Sequence, residues 1–306
     1  MIKFKHFLYV VAVSSLLYAC GTDSNPTIDN FDHEAQSIID NDSLVKFLQN
    51  HYYDTAVDSI KLIDNGQSSL YGDANLKTIE VNENDIDYKV YMYVGEDKVG
   101  SNSPSPDKGF PTIADSIYTK YQLWTITNSK NFSLNQTGSE ARWWNLYPSQ
   151  SGAPSTISGW KYGFAGNLKG GYNNTVTGEK INYINGGKGI IFIPSGLAYR
   201  NVGSGTVLEN TSLIFYVELW DFVEGTDHDN DYVSTINEIN YENGKISNID
   251  TDKNNVPNYL DIDDDGDGVL TKDEDKNGDG DPRNDFNDPN KPLVPDYLNR
   301  DIRVKY

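Results

Sequence analysis

One stretch in the second half of the chain restricts the possible folds most strongly: GKGIIFIPSGLAYRN, residues 187–201. The β-branched and aromatic run from Gly189 to Ile193 predicts a buried strand. Pro194 ends this strand because proline cannot donate a hydrogen bond to a sheet. Tyr199 then lies on a connecting segment, where a tyrosine either anchors the loop by packing or points into a cleft.

Further strand patterns lie on both sides of this stretch. KVYMYVG and SIYTKYQLWTI precede it with alternating hydrophobicity, and SLIFYVELWDF, residues 212–222, follows it. Helical patterns are few. LVKFLQNHYY has apolar residues at helical spacing behind a cap at Asp42 or Ser43, and STISGWKYGFAG, residues 155–166, is a short helix candidate. Apolar content then falls, so the order predicts a strand-rich α+β fold with a domain boundary near Glu224.

The N-terminus has the pattern of an export signal. Lys3 and Lys5 precede a short apolar run that ends in Leu-Tyr-Ala-Cys at Cys20, whereas a spanning helix needs about 20 apolar residues. Cys20 is the only cysteine, so no internal disulfide can form. Its context resembles the lipobox of bacterial lipoproteins, and the alternative is a secreted protein with an incidental cysteine. We expect a signal peptide over residues 1–20 and acyl chains on Cys20 that hold the protein on a membrane.

This interpretation gives an expected location and organisation. A lipid-anchored protein of this kind lies outside the cytoplasm in the bacterial cell envelope, in the periplasm or at the cell surface. Residues 21–84 are predicted to be a polar tether followed by a helical segment.

The charge of the chain is strongly acidic. The formal net charge is −20, from 45 acidic and 25 basic residues, which argues against nucleic acid as a partner. Ten carboxylates lie among the 21 residues from Asp261 to Asp281. Such a block is either a solvated acidic linker or a cation site, and the spacing of its carboxylates distinguishes the two.

Within this block, DDDGDGVLTKDE, residues 263–274, has the spacing of an EF-hand calcium loop. Asp263, Asp265 and Asp267 occupy positions 1, 3 and 5, and a glycine at position 6 permits the sharp turn. Alternating carboxylates converge on one cation because the loop coils around it. The other expected ligands are the Val269 carbonyl, Thr271 directly or through water, and Glu274 at position 12.

The rest of the acidic region repeats parts of this pattern. Asp275, Asn277 and Asp279 begin a second loop that has Phe286 where glutamate is expected, so it is a partial site. The motif V-P-(N/D)-Y-L occurs twice. These features resemble the thrombospondin type 3 Asp-rich repeats of bacterial surface proteins, in which calcium organises a segment with little core. We therefore expect structural calcium in a loop-rich extension over residues 225–306, since calcium is abundant outside the cytoplasm.

Four stretches in the middle of the chain occur in an order that is typical of one family. They are the aromatic pair Tyr121 and Phe132, ISGW at residues 157–160, IPSGLAY at 193–199 and TSLIFYVELW at 211–220. Together they resemble the FKBP-type peptidyl-prolyl cis-trans isomerases over roughly residues 85–224. The resemblance implies an antiparallel β-sheet curled around one short α-helix, with a pocket between them.

The resemblance also implies which residues form the pocket. Trp160 would be its floor, and the Ile157 N–H and the Tyr199 hydroxyl would donate to carbonyls of a bound peptide. Tyr199 would then point into a cleft. The residues that match the family's pocket are Tyr121, Phe132, Ile157, Trp160, Tyr199, Val207 and Phe215.

A pocket of this kind suits the rotation of an X-Pro bond. The barrier of about 18–20 kcal/mol comes from amide resonance, which is lost as the bond twists. The twisted amide is less dipolar, so an apolar cage favours it without a nucleophile or a catalytic cofactor. The sequence has no Ser-His-Asp or Cys-His arrangement. We therefore predict a membrane-anchored isomerase that helps to fold extracytoplasmic, proline-containing polypeptides while they are unfolded or extended.

Two positions depart from the family pattern. Ser133 stands where an aspartate at the pocket rim is usual, and Arg200 follows Tyr199 where a glycine is usual. An insertion, EARWWNLYPSQSGAP, contains Trp143 and Trp144, which either pack in the core or supply an aromatic ring to the pocket. The alternative function is therefore a noncatalytic FKBP-like peptide-binding protein or a calcium-dependent surface interaction protein.

Overall fold

The structure is a computed structural model that describes residues 29–95, 98–100, 108–138, 140–149 and 156–306. Residues 33–306 form one compact unit. The expected signal peptide and Cys20 lie outside the described residues, as do residues 150–155 at the end of the Trp-containing insertion.

Two α-helices and thirteen β-strands are present in the described residues. The helices are α1 (His33–Asn50) and α2 (Ser158–Phe164). The first seven strands are β1 (His51–Asp54), β2 (Ser59–Leu62), β3 (Leu76–Glu83), β4 (Ile86–Tyr93), β5 (Ser116–Asn128), β6 (Asn131–Thr137) and β7 (Arg142–Asn145). The other six are β8 (Tyr172–Asn173), β9 (Tyr183–Ile184), β10 (Lys188–Ile193), β11 (Leu213–Val223), β12 (Ile239–Glu242) and β13 (Lys245–Asn248).

Nine of these strands form one sheet in the order β12-β13-β3-β4-β10-β11-β5-β6, with β7 also beside β5. Neighbouring strands are antiparallel except β13 and β3, which are parallel and share a single residue pair. The β3–β4 hairpin turns through Asn84 and Asp85, whose φ angles of 54° and 62° match the twist of the two strands. The strands predicted around residues 187–201 are present, and the predicted α+β class is confirmed.

Helix α2 lies on one face of the sheet, over β10. Two glycines allow this close approach, because a Cβ atom at Gly159 would overlap the side chain of Ile193, and one at Gly163 would overlap Ile191. Trp160 is buried in the same core. The short helix predicted within residues 155–166 therefore forms, with its small residues against the sheet.

Helix α1 covers the opposite face of the sheet. Leu44, Phe47 and Leu48 are fully buried there, against apolar side chains of β4, β10 and β11. The sheet thus has apolar residues on both faces and a helix on each.

The start of α1 differs from the prediction. The helix begins at His33, well before the predicted cap at Asp42, and ends at Asn50. Its first half is polar and has no apolar stripe, so periodicity gives no signal there. A tertiary contact supports it instead: the buried Asp40 carboxylate accepts hydrogen bonds from the N–H and the hydroxyl of Ser195, both at 2.6 Å.

The compact unit does not divide at the boundary predicted near Glu224. Strands β12 and β13 extend the sheet beyond β3, where the Asn82 N–H donates to the Gly244 carbonyl at 3.1 Å. The sheet also begins with β3, before the predicted start at residue 85. A small cluster of buried side chains joins the C-terminal segment to the rest of the unit: Ile113, Ala114, Tyr147, Ile239 and Tyr259.

Candidate functional site

A pocket of about 200 Å³ lies between α2, β5, β11 and the loop after β10. Five of the seven residues predicted from the family pattern line it, and Val207 is buried in the adjoining core without lining it. The complete lining is Tyr121, Trp144, Thr156, Ile157, Trp160, Tyr199 and Phe215.

Trp160 is at the centre of an aromatic cluster. Its ring centroid lies 5.0 Å from that of Tyr121, 5.2 Å from Phe215 and 5.9 Å from Trp144. The planes cross at 78°, 87° and 66°, which are the edge-to-face arrangements that aromatic rings favour. The pocket is therefore an apolar cage in which the aromatic rings pack against one another.

The loop after β10 brings Tyr199 to this pocket. Pro194 remains extended, with ψ of 153°, and a 3₁₀ turn over Ser195–Leu197 then reverses the chain. The turn is closed by the Arg200 N–H, which donates to the Ser195 carbonyl at 2.8 Å. Arg200 has a φ of 54°, in the left-handed region that glycine adopts most easily. The structure therefore explains physically why a glycine suits this position.

Two hydrogen-bond donors lie at the pocket. Burial raises the pKa of Tyr199, and the nearby Tyr121 adds to this effect, so the hydroxyl stays protonated at neutral pH. Ile157 is the N-terminal cap of α2, with φ of −67° and ψ of 149°. N–H groups at the start of a helix have no partner within the helix. Both groups can therefore donate to a bound peptide.

A carboxylate that sequence reasoning missed fixes the orientation of α2. Glu83 of β3 accepts hydrogen bonds from the Ser158 hydroxyl and the Tyr162 hydroxyl, each at 2.7 Å. The Lys161 ammonium lies 3.5 Å from the same carboxylate, and burial lowers the pKa of Lys161. Glu83 thus holds the helix that carries Ile157 and Trp160.

Phe132 does not lie at the pocket, contrary to the prediction. It packs on the opposite face of the sheet, with its ring centroid 5.5 Å from Phe47 and 5.1 Å from Trp124. Successive side chains of a strand point to opposite faces, so an offset of one residue in β6 changes the face. Ser133 is exposed and its hydroxyl lies 3.2 Å from that of Thr125. It is not among the residues that line the pocket.

Trp144 supplies an aromatic ring to the pocket. It lies on β7, beside β5, with its ring centroid 6.2 Å from Tyr121. Trp143 points to the other side of the strand, where its ring centroid lies 5.2 Å from Tyr118. Trp144 therefore lines the pocket, whereas Trp143 does not.

The predicted calcium loop brings most of its carboxylates together. Asp263, Asp265 and Asp267 each place an oxygen within 4.8 Å of the other two. The Gly268 N–H donates to Asp263 at 3.0 Å, and Gly268 has a φ of 96°, as expected for the sharp turn. Glu274 is 1% exposed, and burial beside Asp265 and Asp267 raises its pKa to about 9.

The two remaining predicted ligands of this loop are placed differently. The Val269 N–H donates to Asp267 at 2.7 Å, so Val269 lies directly beside the cluster. The Thr271 hydroxyl accepts a hydrogen bond from the Asp264 N–H at 3.2 Å, and this side chain is fully buried.

The partial loop that follows has the same turn. The Gly280 N–H donates to Asp275 at 2.7 Å, and Gly280 has a φ of 85°. Phe286 is 47% exposed, whereas the neighbouring Asp285 is buried, and burial and then the charges of Asp275 and Asp279 raise its pKa.

The proposed membrane attachment depends on residues that the structure does not describe. Among the described residues, neither helix is long and apolar enough to cross a membrane. Cys20 and the apolar run before it are outside this range.

Comparison with family models and with curated proteins finds no match. Among solved structures, the chain is similar to FkpA from Escherichia coli, with 20% identity over 50% of this chain and 53% of FkpA and a TM-score of 0.33. A peptidyl-prolyl cis-trans isomerase from Pseudomonas syringae pv. tomato is 15% identical over 64% of this chain and 98% of its own, with a TM-score of 0.34. The N-terminal domain of FKBP42 from Arabidopsis thaliana is 14% identical over 54% and 99%, with a TM-score of 0.31. The chain thus spans about half the length of FkpA.

Proposed function

We propose that the chain is a peptidyl-prolyl cis-trans isomerase of the FKBP type. The observation that carries the proposal is the aromatic cage of Trp160, Tyr121, Phe215 and Trp144, with the Tyr199 hydroxyl at its edge. The motifs ISGW and IPSGLAY, which suggested the family, supply Trp160 and Tyr199 to this one pocket. Its substrates would be X-Pro bonds in unfolded or extended polypeptides.

The cage suits the twisted form of the peptide bond. A planar X-Pro amide is strongly dipolar and loses solvation when it enters an apolar pocket, whereas the twisted amide is less dipolar and loses less. The pocket therefore binds the twisted amide more favourably than either planar isomer, and this difference lowers the barrier.

The two donors would hold the chain on both sides of the rotating bond. The Ile157 N–H and the Tyr199 hydroxyl can each donate a hydrogen bond to a peptide carbonyl, and a fixed flanking chain leaves rotation about the X-Pro bond as the remaining motion. No proton transfer is needed. The aromatic pocket and its two donors are the features that support the proposed activity.

Peptide binding without turnover is the second candidate. The seven described residues that line the pocket include no carboxylate, although the family pattern places an aspartate at its rim. A pocket with this lining can bind a proline ring by apolar contact alone. Catalysis and binding therefore need separate measurement.

The other parts of the chain support a location outside the cytoplasm. Acylation of Cys20 would anchor the protein to a membrane of the bacterial envelope, and residues 263–274 would hold structural calcium through Asp263, Asp265, Asp267 and Glu274. The net charge of −20 suits calcium better than nucleic acid as a partner. Together these features describe an anchored folding helper with a calcium-ordered extension.

Refolding of an unfolded protein with a slow, proline-limited phase tests both the activity and the substrate class. That phase takes about 10–100 s without a catalyst. We expect the purified protein to shorten it in proportion to its concentration. Tyr199→Phe removes one hydrogen bond and should reduce the acceleration by about three- to tenfold. A slow phase that is unchanged or prolonged would favour peptide binding without turnover.

A further inference from the structure

A second group of acidic side chains meets between the end of β11 and the start of β12. Oxygens of Asp231, Glu238 and Asp264 lie within 4.8 Å of one another, and the same holds for Asp227, Asp229 and Asp231. Four of these residues belong to one loop, and Asp264 comes from the loop of residues 263–274. None of the five was predicted as a ligand from the sequence.

The three side chains in the middle of this junction cluster are almost completely buried. Glu238 is 2% exposed, Asp264 is 1% exposed and Asp231 is 0% exposed. Both carboxylate oxygens of Glu238 and both of Asp264 lack a hydrogen-bond partner among the described residues. These oxygens lie next to the other carboxylates of the cluster. A cation that binds oxygen atoms would therefore satisfy them.

The cluster needs such a group because its carboxylates lie close to one another and are shielded from water. Buried charges in proteins are paired with opposite charges or coordinate metal ions. The described residues around the cluster provide no ion pair to Glu238 or Asp264.

The loop has the same internal geometry as the calcium loop of residues 263–274. The Tyr232 N–H donates to Asp227 at 3.1 Å, as the Gly268 N–H does to Asp263 at 3.0 Å. Tyr232 has a φ of 80°, close to the value at Gly268. The sequence DHDNDYVSTINE also places acidic residues at positions 1, 3, 5 and 12. Position 6, where glycine is expected, is Tyr232, so the sequence does not match the standard EF-hand pattern there.

We propose that Asp231, Glu238 and Asp264, with Asp227 and Asp229, form a second calcium site that joins two loops of the C-terminal segment. Calcium fits because every available ligand is an oxygen, and because this ion accepts six to eight oxygens in irregular geometry. Magnesium requires a near-ideal octahedron and keeps several waters, which a buried cluster of carboxylates does not favour. This inference does not depend on the proposed isomerase activity.

The position of the site gives it a structural role. On one side, Thr226 accepts a hydrogen bond from the Ser116 N–H at 2.8 Å and donates its own N–H to Asp115 at 3.1 Å, at the start of β5. On the other side, Glu238 directly precedes β12, which with β13 extends the sheet. Calcium at this junction would therefore fasten the C-terminal segment to the sheet.

Calorimetric titration of Ca²⁺ into the metal-stripped, full-length protein tests the site. We expect the wild type to bind at least two Ca²⁺ ions, and Glu238→Gln and Asp264→Asn each to lose the same one of them. Glu274→Gln should lose a different one. Glu242→Gln is the matched control, because Glu242 is exposed at the end of β12 and should leave the titration unchanged.

The variants are expected to fold, because each replaces a buried carboxylate with an amide of the same size and so removes like-charge repulsion. Circular dichroism in the presence of a chelator checks this directly. A wild type that binds no Ca²⁺, or a single Ca²⁺ that Glu238→Gln still binds, overturns the proposal. Wild-type stoichiometry and affinity in both Glu238→Gln and Asp264→Asn would overturn it as well.

Discussion

Asp40 and His51 show how burial determines the role of a polar residue in this protein. Asp40 is 2% exposed and joins α1 to the turn that leads to Tyr199, through its two hydrogen bonds from Ser195. His51, the first residue of β1 directly after α1, is fully buried, with its ring stacked 3.8 Å from that of Phe47. Both side chains therefore stabilise the packing around α1.

His51 predicts a dependence of stability on pH. Its Nδ1–H donates to the Phe47 carbonyl at 2.7 Å, and burial lowers its pKa from the ordinary value of 6.5. The unfolded chain then binds more protons than the folded one below pH 6.5, so stability falls on acidification by up to about 1.4 kcal/mol per pH unit. Denaturant titrations of wild type and His51→Phe at several pH values measure this. Equal slopes in the two proteins would contradict the assignment.

Helix α2 is only seven residues long, too short to be stable alone, and depends on its contacts. Gly159 and Gly163 allow it to approach β10, and Glu83 accepts hydrogen bonds from its first and later turns. Since the helix carries Trp160, these contacts also determine the shape of the pocket.

Loss of the Glu83 carboxylate should therefore destabilise the protein. Glu83→Ala leaves the buried Tyr162 hydroxyl, the half-buried Ser158 hydroxyl and the Lys161 ammonium without their acceptor, at a cost of about 1–3 kcal/mol. Glu80→Ala in the same strand removes only a surface ion pair and should cost less than about 0.5 kcal/mol. Chemical denaturation compares the two. Similar losses would show that Glu83 does not anchor α2.

The elements that were predicted correctly from the sequence are those that apolar periodicity defines. Strands β5, β10 and β11 have this pattern over their whole length. The first half of α1 lacks apolar periodicity. It is stabilised instead by the hydrogen bonds between Asp40 and Ser195, which are 155 residues apart in the chain. Phe132 was assigned to the wrong face because spacing along the chain does not give strand register. The loop with Tyr232 at its turn was missed because only the fold shows the positive φ there.

The molecule as a whole depends on a C-terminal segment with little apolar core. Its loops end in short 3₁₀ turns, and buried aspartates and glutamates take the place of a larger core. In the proposed account, calcium neutralises these carboxylates. The same segment contributes β12 and β13 to the sheet, so the stability of the unit is expected to depend on the ion.

Removal of calcium should lower the melting temperature. Each site filled at about 100 times its dissociation constant contributes about 2.7 kcal/mol, equivalent to several degrees for a unit of this size. We expect a large shift between calcium and chelator in the wild type, and a smaller one in Glu274→Gln. Calorimetric melting measures both. Coincident wild-type curves with calcium and with chelator would contradict a calcium-ordered segment.

The cis-to-trans rate of a short X-Pro peptide with catalytic amounts of the protein tests the proposed isomerase activity most directly. We predict acceleration over the uncatalysed rate, reduced about tenfold in Trp144→Ala, which loses edge-to-face contacts at the pocket. Trp143→Ala, on the other side of the same strand, should stay within about twofold of wild type. A wild-type rate equal to that in buffer would contradict an isomerase at this pocket, and equal rates in the two variants would contradict the assigned site.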